Sequence, residues 1–367
     1  MKTLFLLSGL QVGGTETKSV KIVNELVKRG RSVALAYLQG PEDLLPEINS
    51  DVKTTCLKRK GRFSLTALRN LRRLVSENDI ELIVCMNEYP LLYAATLKLF
   101  LGFDSLKVLL AINTTEFQRV RDRLFMLIYS RLIRHIDGVV YGCEYQRRLW
   151  QERYRLGEVE SRVIYNGVNS EFFDRTRSID SLRGPLGLAD TFVIGCVGRL
   201  DGEKNQSALL SVAAQLNSEA KRCDVLLVGA GPAMDQLRRQ ADDLGIGDRV
   251  HFLGRMKDVR SALKTMDVFV LPSIAVETFS NAALEAMAMS LPVVLSDIAG
   301  APEMVVDGEN GFLYKKDDLD CLANLLVRLR DDVALRKNIG RNAREAVARQ
   351  FDINKMYDAY QKLLGDR

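Results

Sequence analysis

The chain has 367 residues, of which 47% are hydrophobic and 27% charged, and its mean hydropathy is −0.05. These values exclude fibrous, low-complexity and disordered classes, and the lack of any apolar run of about 18 residues excludes a spanning helix. The net charge of +5 is uneven: residues 1–180 carry +7 and residues 181–367 carry −2.

From the N-terminus, Met1-Lys2-Thr3 leads into a short apolar run ending at Leu7. It is too short for a signal peptide core and no small-residue cleavage site follows, so the sequence predicts a first buried strand. Strands are predicted at 3–8, 32–37, 52–57, 81–85, 106–112, 138–141 and 162–165. Helical patterns lie between them near 15–29, 64–77, 90–101, 116–134 and 143–153. Residues 175–190 are polar, contain Gly184-Pro185-Leu186-Gly187 and read as a linker. The design then repeats, with strands at 192–197, 224–228, 249–252, 268–271, 292–296 and 311–314. Helices fall near 205–219, 232–244, 257–265, 280–289, 317–331, 333–349 and 353–364. This βαβα alternation predicts parallel sheets covered by helices, and the nearly continuous apolar strands fit burial on both faces. The expected fold class is α/β, with two doubly wound Rossmann-like domains facing a central cleft, the default ligand site.

Six cysteines, at 56, 85, 143, 196, 223 and 321, include no C-x-x-C pair. That argues against a zinc site or a disulfide framework and for a reducing compartment. Two histidines, His135 and His251, leave little for a His-rich metal site. The basic first half suits an anionic partner, although a solvated basic face is an equally ordinary explanation.

In open α/β sheets ligands bind beyond the carboxyl ends of the strands, where helix N-termini point. The first such turn carries Gly13-Gly14 before Thr15, a pair that permits close backbone approach by a ligand. It is not G-x-G-x-x-G, and Tyr37-Leu38-Gln39 ends the second strand without an acid, which weakens a dinucleotide reading. A plain tight turn is the alternative. A later turn, Gly198-Arg199-Leu200-Asp201-Gly202-Glu203-Lys204, sets two cations five residues apart across the start of a helix. A diphosphate there meets a guanidinium fork, an ammonium and a helix N-terminus; two surface charges are the alternative. Val228-Gly229-Ala230-Gly231-Pro232 is an ordinary βα turn pattern. The most informative run is Glu277-Thr278-Phe279-Ser280-Asn281-Ala282-Ala283-Leu284-Glu285. Its helix N-terminus offers the amides of Phe279, Ser280 and Asn281 to an anion. Glu285, inside an apolar helix, is costly unless it accepts hydrogen bonds, for which ribose hydroxyls are suited; a helix-surface glutamate is the alternative.

Taken together, these residues resemble the retaining family-four glycosyltransferases of the GT-B fold, over essentially the whole chain. Val163-Ile164-Tyr165-Asn166-Gly167-Val168-Asn169 with Phe172 looks like that family's segment closing its first domain. Gly198-Arg199-Leu200 with Glu203-Lys204 looks like its donor-diphosphate pair, and Glu277 to Glu285 fits its E-x7-E signature. Pro302-Glu303 and Asn310-Gly311 also fall where the family has them. The resemblance implies a catalytic set of Glu277, Arg199 and Lys204, with the two cations neutralising the departing diphosphate and Glu277 accepting donor-sugar hydroxyls. Glu285 would hold the ribose. Gly13 and Gly14 would approach the transferred sugar or the diphosphate. Arg255, Phe279, Ser280 and Asn281 complete the implied donor-binding set, and Asn113 and Glu88 are placed on the acceptor side. No metal and no cofactor beyond the donor are implied, because cations and helix dipoles stabilise the charge. Domain one is expected to span 1–175, completed by the C-terminal helix 351–367, and domain two 190–350.

The expected reaction moves a sugar with retention from a UDP- or GDP-sugar to a glycan acceptor, lipid-linked, in bacterial-type surface polysaccharide or glycan biosynthesis. The leaving phosphate would help deprotonate the acceptor. Three departures stand out. Thr278 replaces a usual Gly, Arg31 a frequent His, and Ile112-Asn113-Thr114-Thr115 a His-containing segment; asparagine cannot act as a base at neutral pH. A nucleotide-sugar-binding protein without turnover and a nucleotide-sugar epimerase remain alternatives, although an epimerase needs an acid/base pair and only Glu277 is on offer.

Two basic groups complete the reading. One joins Lys58, Arg59, Lys60, Arg62, Arg69, Arg72 and Arg73. The other sets Arg119, Arg121, Arg123, Arg131 and Arg134 among the apolar residues from Leu124 to Tyr129. They predict contact with an anionic membrane surface and a cytoplasmic protein held peripherally at the inner face of the cell membrane. A core-facing helix with a solvated basic face is the simpler alternative. Aliphatic rather than aromatic interleaving disfavours nucleic acid.

Overall fold

A computed structural model describes residues 1–61, 63–115, 120–218, 222–275 and 277–365, with the side chains of 120–124 excepted. Arg62, Arg119 and the first part of the predicted helix 116–134 lie outside the described residues, as do the side chains of Arg121, Arg123 and Leu124. The chain forms two compact units, Met1–Tyr165 with Met356–Arg367, and Asn166–Lys355.

The first unit holds strands β1 (Thr3–Leu7), β2 (Val33–Tyr37), β3 (Lys53–Cys56), β4 (Leu82–Met86), β5 (Lys107–Ala111), β6 (Gly138–Tyr141) and β7 (Ser161–Val163). They pair in parallel in the order β3-β2-β1-β4-β5-β6-β7. Helices α1 (Gly14–Lys28), α2 (Leu65–Glu77), α3 (Glu88–Phe100), α4 (Val120–Ile133) and α5 (Glu144–Tyr154) connect them. Strand alternation sorts the core. Leu4 and Leu6 of β1, Ile83 and Cys85 of β4, and Leu110 of β5 point to one face. There they bury against Leu68 and Leu71 of α2, Leu91 of α3, Met126 and Ile133 of α4, and Trp150 of α5. Ser64 caps α2 by accepting from Ala67 N at 3.3 Å.

The second unit holds β8 (Phe192–Val197), β9 (Cys223–Val228), β10 (Val250–Gly254), β11 (Val268–Leu271), β12 (Val293–Ser296) and β13 (Phe312–Tyr314). Their order is β10-β9-β8-β11-β12-β13, again parallel. The helices are α6 (Gln206–Asn217), α7 (Met234–Asp243), α8 (Arg260–Thr265), α9 (Asn281–Ala288), α10 (Ala301–Met304), α11 (Leu319–Asp331) and α12 (Val333–Ala346). A π-turn, Val347–Phe351, leads from α12 to α13 (Ile353–Leu363).

Residues 166–175, placed with the first domain by sequence, and the segment read as a linker both belong to the second unit. Val168 pairs with Asp352, and a Cβ on Gly167 would lie 2.6 Å from the Cα of Ile353. Arg175 donates to the carbonyls of Lys264 and Met266 at 3.0 and 3.2 Å. Arg183 donates to those of Leu188 and Thr191 at 2.9 and 3.0 Å and pairs with Asp267. Backbone acceptors rather than apolar periodicity anchor this stretch, which is why it looks like a linker in sequence.

From Met356 onward α13 belongs to the first unit. Tyr360, fully buried, lies 6.5 Å from the Phe5 ring of β1, and Asp358 accepts from Arg29 at 2.5 Å. Arg31, the residue standing where the family often has His, donates to the carbonyls of Leu364 and Gly365. Replacing Tyr360 by Ala is expected to cost about 3–5 kcal/mol, read as an earlier denaturant midpoint; an unchanged midpoint would show that this ring does not hold α13 in place.

Candidate active site

In the second unit three neighbouring βα turns are stitched through their backbones. Gly198 N donates to Val228 O (2.9 Å), Leu200 N to Ala230 O (3.1 Å) and Gly229 N to Gly254 O (2.8 Å). Gly229 sits at φ +141, and a Cβ there would lie 1.8 Å from Gly198 O; at Gly231 it would lie 2.1 Å from Leu200 O. Only glycine allows this approach. A run that reads as an ordinary turn thus fixes the backbone on either side of Arg199.

Arg199 is largely exposed, paired with Asp201 and 3.4 Å from Glu203. The buried Asp201 also accepts from Lys204 N at 2.9 Å, and Gln206 donates to Arg199 O at 2.9 Å. Sequence reasoning did not single out Asp201 or Gln206, which hold both cations in place. From this turn Lys204 reaches the loop after β11, where its ammonium hydrogen-bonds the Glu277 carboxylate. Ser273 donates to the same oxygen at 3.1 Å. Ser296 in turn donates to the carbonyls of Leu271 and Ser273. Ser273, Glu277, Ser280, Ser296, Ile298 and Ala301 line a small pocket at the ends of β11 and β12. Cys196 is buried at the end of β8, and burial pushes its thiol up to about 12.

Ser280 caps α9, accepting from Ala283 N at 3.3 Å. The Phe279 ring is buried 5.2 Å from that of Phe351, and Asn166 donates to its carbonyl at 3.0 Å. Of the donor-side set, the Phe279 side chain therefore builds the fold, and this residue has only backbone to present. Asn281 is exposed at the start of α9, Glu285 is half-buried on the same helix, and Arg255 is exposed just beyond β10.

In the first unit Gly13 is extended and Gly14 opens α1. A Cβ on Gly14 would meet nothing within 4 Å, whereas one on Gly13 would meet the Glu16 carboxylate at 2.5 Å. Burial raises the Glu16 carboxyl and lowers the Lys18 ammonium to about 8, two groups beside the glycine pair that the sequence did not mark.

At the ends of β4 and β5, Asn113 N and its side-chain amide both donate to Asn87 Oδ1 at 3.2 Å. Asn87 is held at φ +74. The following loop is clamped by α5: Gln146 donates to Thr114 O at 3.0 Å, and the Trp150 indole to Thr115 O at 3.0 Å. Asn113 therefore locks two loops together. Beside it Glu88 is buried, its Oε1 has no hydrogen-bond partner, and burial pushes its carboxyl up to about 7. Among the described residues no group of three or more His, Cys, Asp or Glu side chains is placed to hold a metal ion.

Two family models match in tandem: Glycosyltransferase Family 4 over residues 12–172, and Glycosyl transferases group 1 over residues 178–346. An uncharacterized glycosyltransferase of Haemophilus influenzae is 24% identical over 98% of both chains. The UDP-Gal:alpha-D-GlcNAc-diphosphoundecaprenol alpha-1,3-galactosyltransferase of Escherichia coli is 34% identical over 56% of this chain and 54% of its own. Among solved structures, Anabaena HepE in complex with UDP superposes with a TM-score of 0.86 at 24% identity over 99% of both chains. HepE is also solved with UDP-glucose.

The buried Glu88 carboxyl, with one oxygen left without a partner, generates a pH test. Its folded value of about 7 lies above the ordinary 4.5, so the neutral form favours the fold. Its contribution is fully present below pH 4.5 and is lost as pH rises to about 7. Glu88→Gln removes that dependence. Relative to the variant, the wild type is expected to lose about 2–3 kcal/mol between pH 5 and 8 in denaturant melts; parallel curves would refute it.

Proposed function

The chain belongs to the group 1 glycosyltransferases and has their GT-B fold, and from that premise we propose that it transfers a sugar from a UDP-sugar, with retention, to a lipid-linked glycan acceptor in polysaccharide or glycan assembly. The observation that carries this reading is the Lys204–Glu277 pair beside Arg199, two opposite charges brought from separate strand ends to one place. An incoming donor satisfies both. Diphosphate oxygens take up the ammonium of Lys204 and the guanidinium of Arg199, while hydroxyls of the sugar donate to Glu277. As the bond between the anomeric carbon and the phosphate oxygen breaks, its electron pair leaves with the diphosphate. The two cations stabilise that charge, so the step needs no metal. The acceptor oxygen bonds to the anomeric carbon on the same face and passes its proton to the departing phosphate. Glu285 holds the ribose from α9, and Asn281 and Arg255 are available to the nucleotide. UDP is favoured over GDP by the UDP and UDP-glucose of HepE and by the UDP-Gal of the E. coli relative. The diphosphoundecaprenol in that relative's name supports a lipid-linked acceptor. No helix among the described residues is long and apolar enough to cross a membrane, so contact with such an acceptor at the cytoplasmic leaflet would be peripheral.

Release of UDP from a panel of UDP-sugars tests the reading. Lys204→Ala is expected to keep the fold at reduced stability, because the largely buried Glu277 carboxylate loses its ammonium partner, and to lose about 2–4 kcal/mol of barrier lowering, roughly 30- to 1000-fold in turnover. A rate within about threefold of wild type would remove Lys204 from the reaction. Glu285→Ala is expected to raise the donor KM at unchanged kcat, because ribose is held equally in the ground and transition states. A fall in kcat alone would show that Glu285 acts elsewhere.

A further inference from the structure

The carboxyl edge of the first sheet carries the Gly13–Gly14 turn and the Asn87–Asn113 lock. The same edge carries a group of side chains that the proposed reaction does not use. The β2–β3 ladder runs on past the ends of its strands: Leu57 N donates to Tyr37 O at 2.8 Å and Arg59 N to Leu38 O at 2.7 Å. That register sets Arg59 beside Gln39, whose Oε1 accepts from the arginine Nε at 3.1 Å. Arg59 Nη1 donates to the Tyr89 hydroxyl at 2.6 Å, and the guanidinium carbon lies 4.8 Å from the centre of that ring. From there the contacts continue through aromatic rings. Tyr89 meets Tyr93 edge-on at 6.2 Å, and Tyr93 stacks on Phe63 at 5.0 Å. Tyr93 also accepts from Ser64 N at 3.0 Å, which ties the loop before α2 to α3.

Both side-chain partners of Arg59 are neutral. Among the described residues it forms no ion pair, and its Nη2 has no partner. Lys58 and Lys60 on either side are exposed and form no ion pair either. Glu16, Glu42, Asp43 and Glu88 follow β1, β2 and β4, and none of them pairs with these cations. Tyr37 donates to Glu42 at 2.6 Å, and Glu88 is buried. A guanidinium oriented by two neutral acceptors and a ring keeps its charge uncompensated. Its remaining N–H groups are preorganised for the oxygens of one oxyanion. Phe63, at the end of the same chain of contacts, is 48% exposed and offers an apolar ring to the C–H face of a sugar.

We propose that this edge is an acceptor subsite that selects a sugar bearing an oxyanion, phosphate or carboxylate. Arg59 takes the oxyanion through its fork, Lys58 and Lys60 add charge, and Phe63 carries the sugar ring. The proposal rests on the reading of the chain as a sugar transferase and names the class of its acceptor. A phosphate belongs to the link between glycan and lipid, a carboxylate to an acidic sugar within the glycan.

Binding to the full chain is followed by ligand-detected NMR with UDP at saturation, which fills the turn of Arg199 and Lys204. The probes are glucose 1-phosphate, methyl glucuronide, methyl glucoside and inorganic phosphate. At least one of the two anionic sugars is expected to bind about tenfold or more tightly than methyl glucoside. A preference for the phosphate assigns the subsite to the lipid link, and a preference for the glucuronide to an acidic sugar. Arg59→Gln is expected to remove the preference, and Arg59→Lys to keep part of it, as a point charge without the fork. Phe63→Ala is expected to weaken the anionic sugars several-fold and to leave inorganic phosphate unchanged. No preference over methyl glucoside overturns the proposal, as does an unchanged preference in Arg59→Gln. Should that variant not fold, wild-type binding by both Arg59→Lys and Phe63→Ala overturns it. The readout needs no turnover: a chain that releases no UDP leaves the subsite standing, and loss of the preference leaves the transfer reaction standing.

Discussion

The second unit is organised around one ion pair. Lys204 and Glu277 are each mostly withdrawn from water, and a charge in that position without its partner is strongly destabilising. Everything nearby serves to bring the two together. Asp201 fixes the backbone of Lys204, Ser273 fixes the carboxylate, and Ser296 fixes Ser273. The Gly229 and Gly231 turn sets the strand end from which the lysine departs. A pair held from both sides is preorganised, and a ligand that offers negative charge to one partner and hydroxyls to the other replaces it without leaving either bare.

Arginine is used in two ways, which net charge alone conceals. In the second unit Arg175, Arg183, Arg336 and Arg344 direct their guanidinium groups at backbone carbonyls. They act as multi-pronged donors for chain ends and loops that no strand or helix satisfies. In the first unit Arg69 and Arg72 extend into solvent. Both uses occur in each unit: Arg31 and Arg134 of the first also donate to carbonyls, and Arg199 of the second is largely exposed.

Much of this was legible in the sequence. The strands are short apolar runs, and the turns that carry Arg199, Lys204 and Glu277 follow directly from them, so both the order of the elements and those three positions could be read. What could not be read depends on partners distant in sequence. The attachment of residues 166–190 to the second unit rests on arginine–carbonyl bonds, which leave no periodicity. Phe279 looks like part of a ligand loop until Phe351, far along the chain, is seen against it. Glu88 and Asn113 enter the sequence reading only as acceptor-side residues that the resemblance implies, whereas the link through Asn87 and the unsatisfied Glu88 oxygen are tertiary facts.

The route of the chain has a consequence for biosynthesis. It leaves the first unit at Tyr165 and returns at Met356. Tyr360 is one of the groups that cover Phe5 of the interior strand β1. During synthesis that part of β1 must wait through nearly two hundred residues of the second unit before this ring emerges to cover it. A nascent first unit is therefore incomplete for most of its time on the ribosome. An open apolar strand face in that interval is where a chaperone would bind and where premature association would begin.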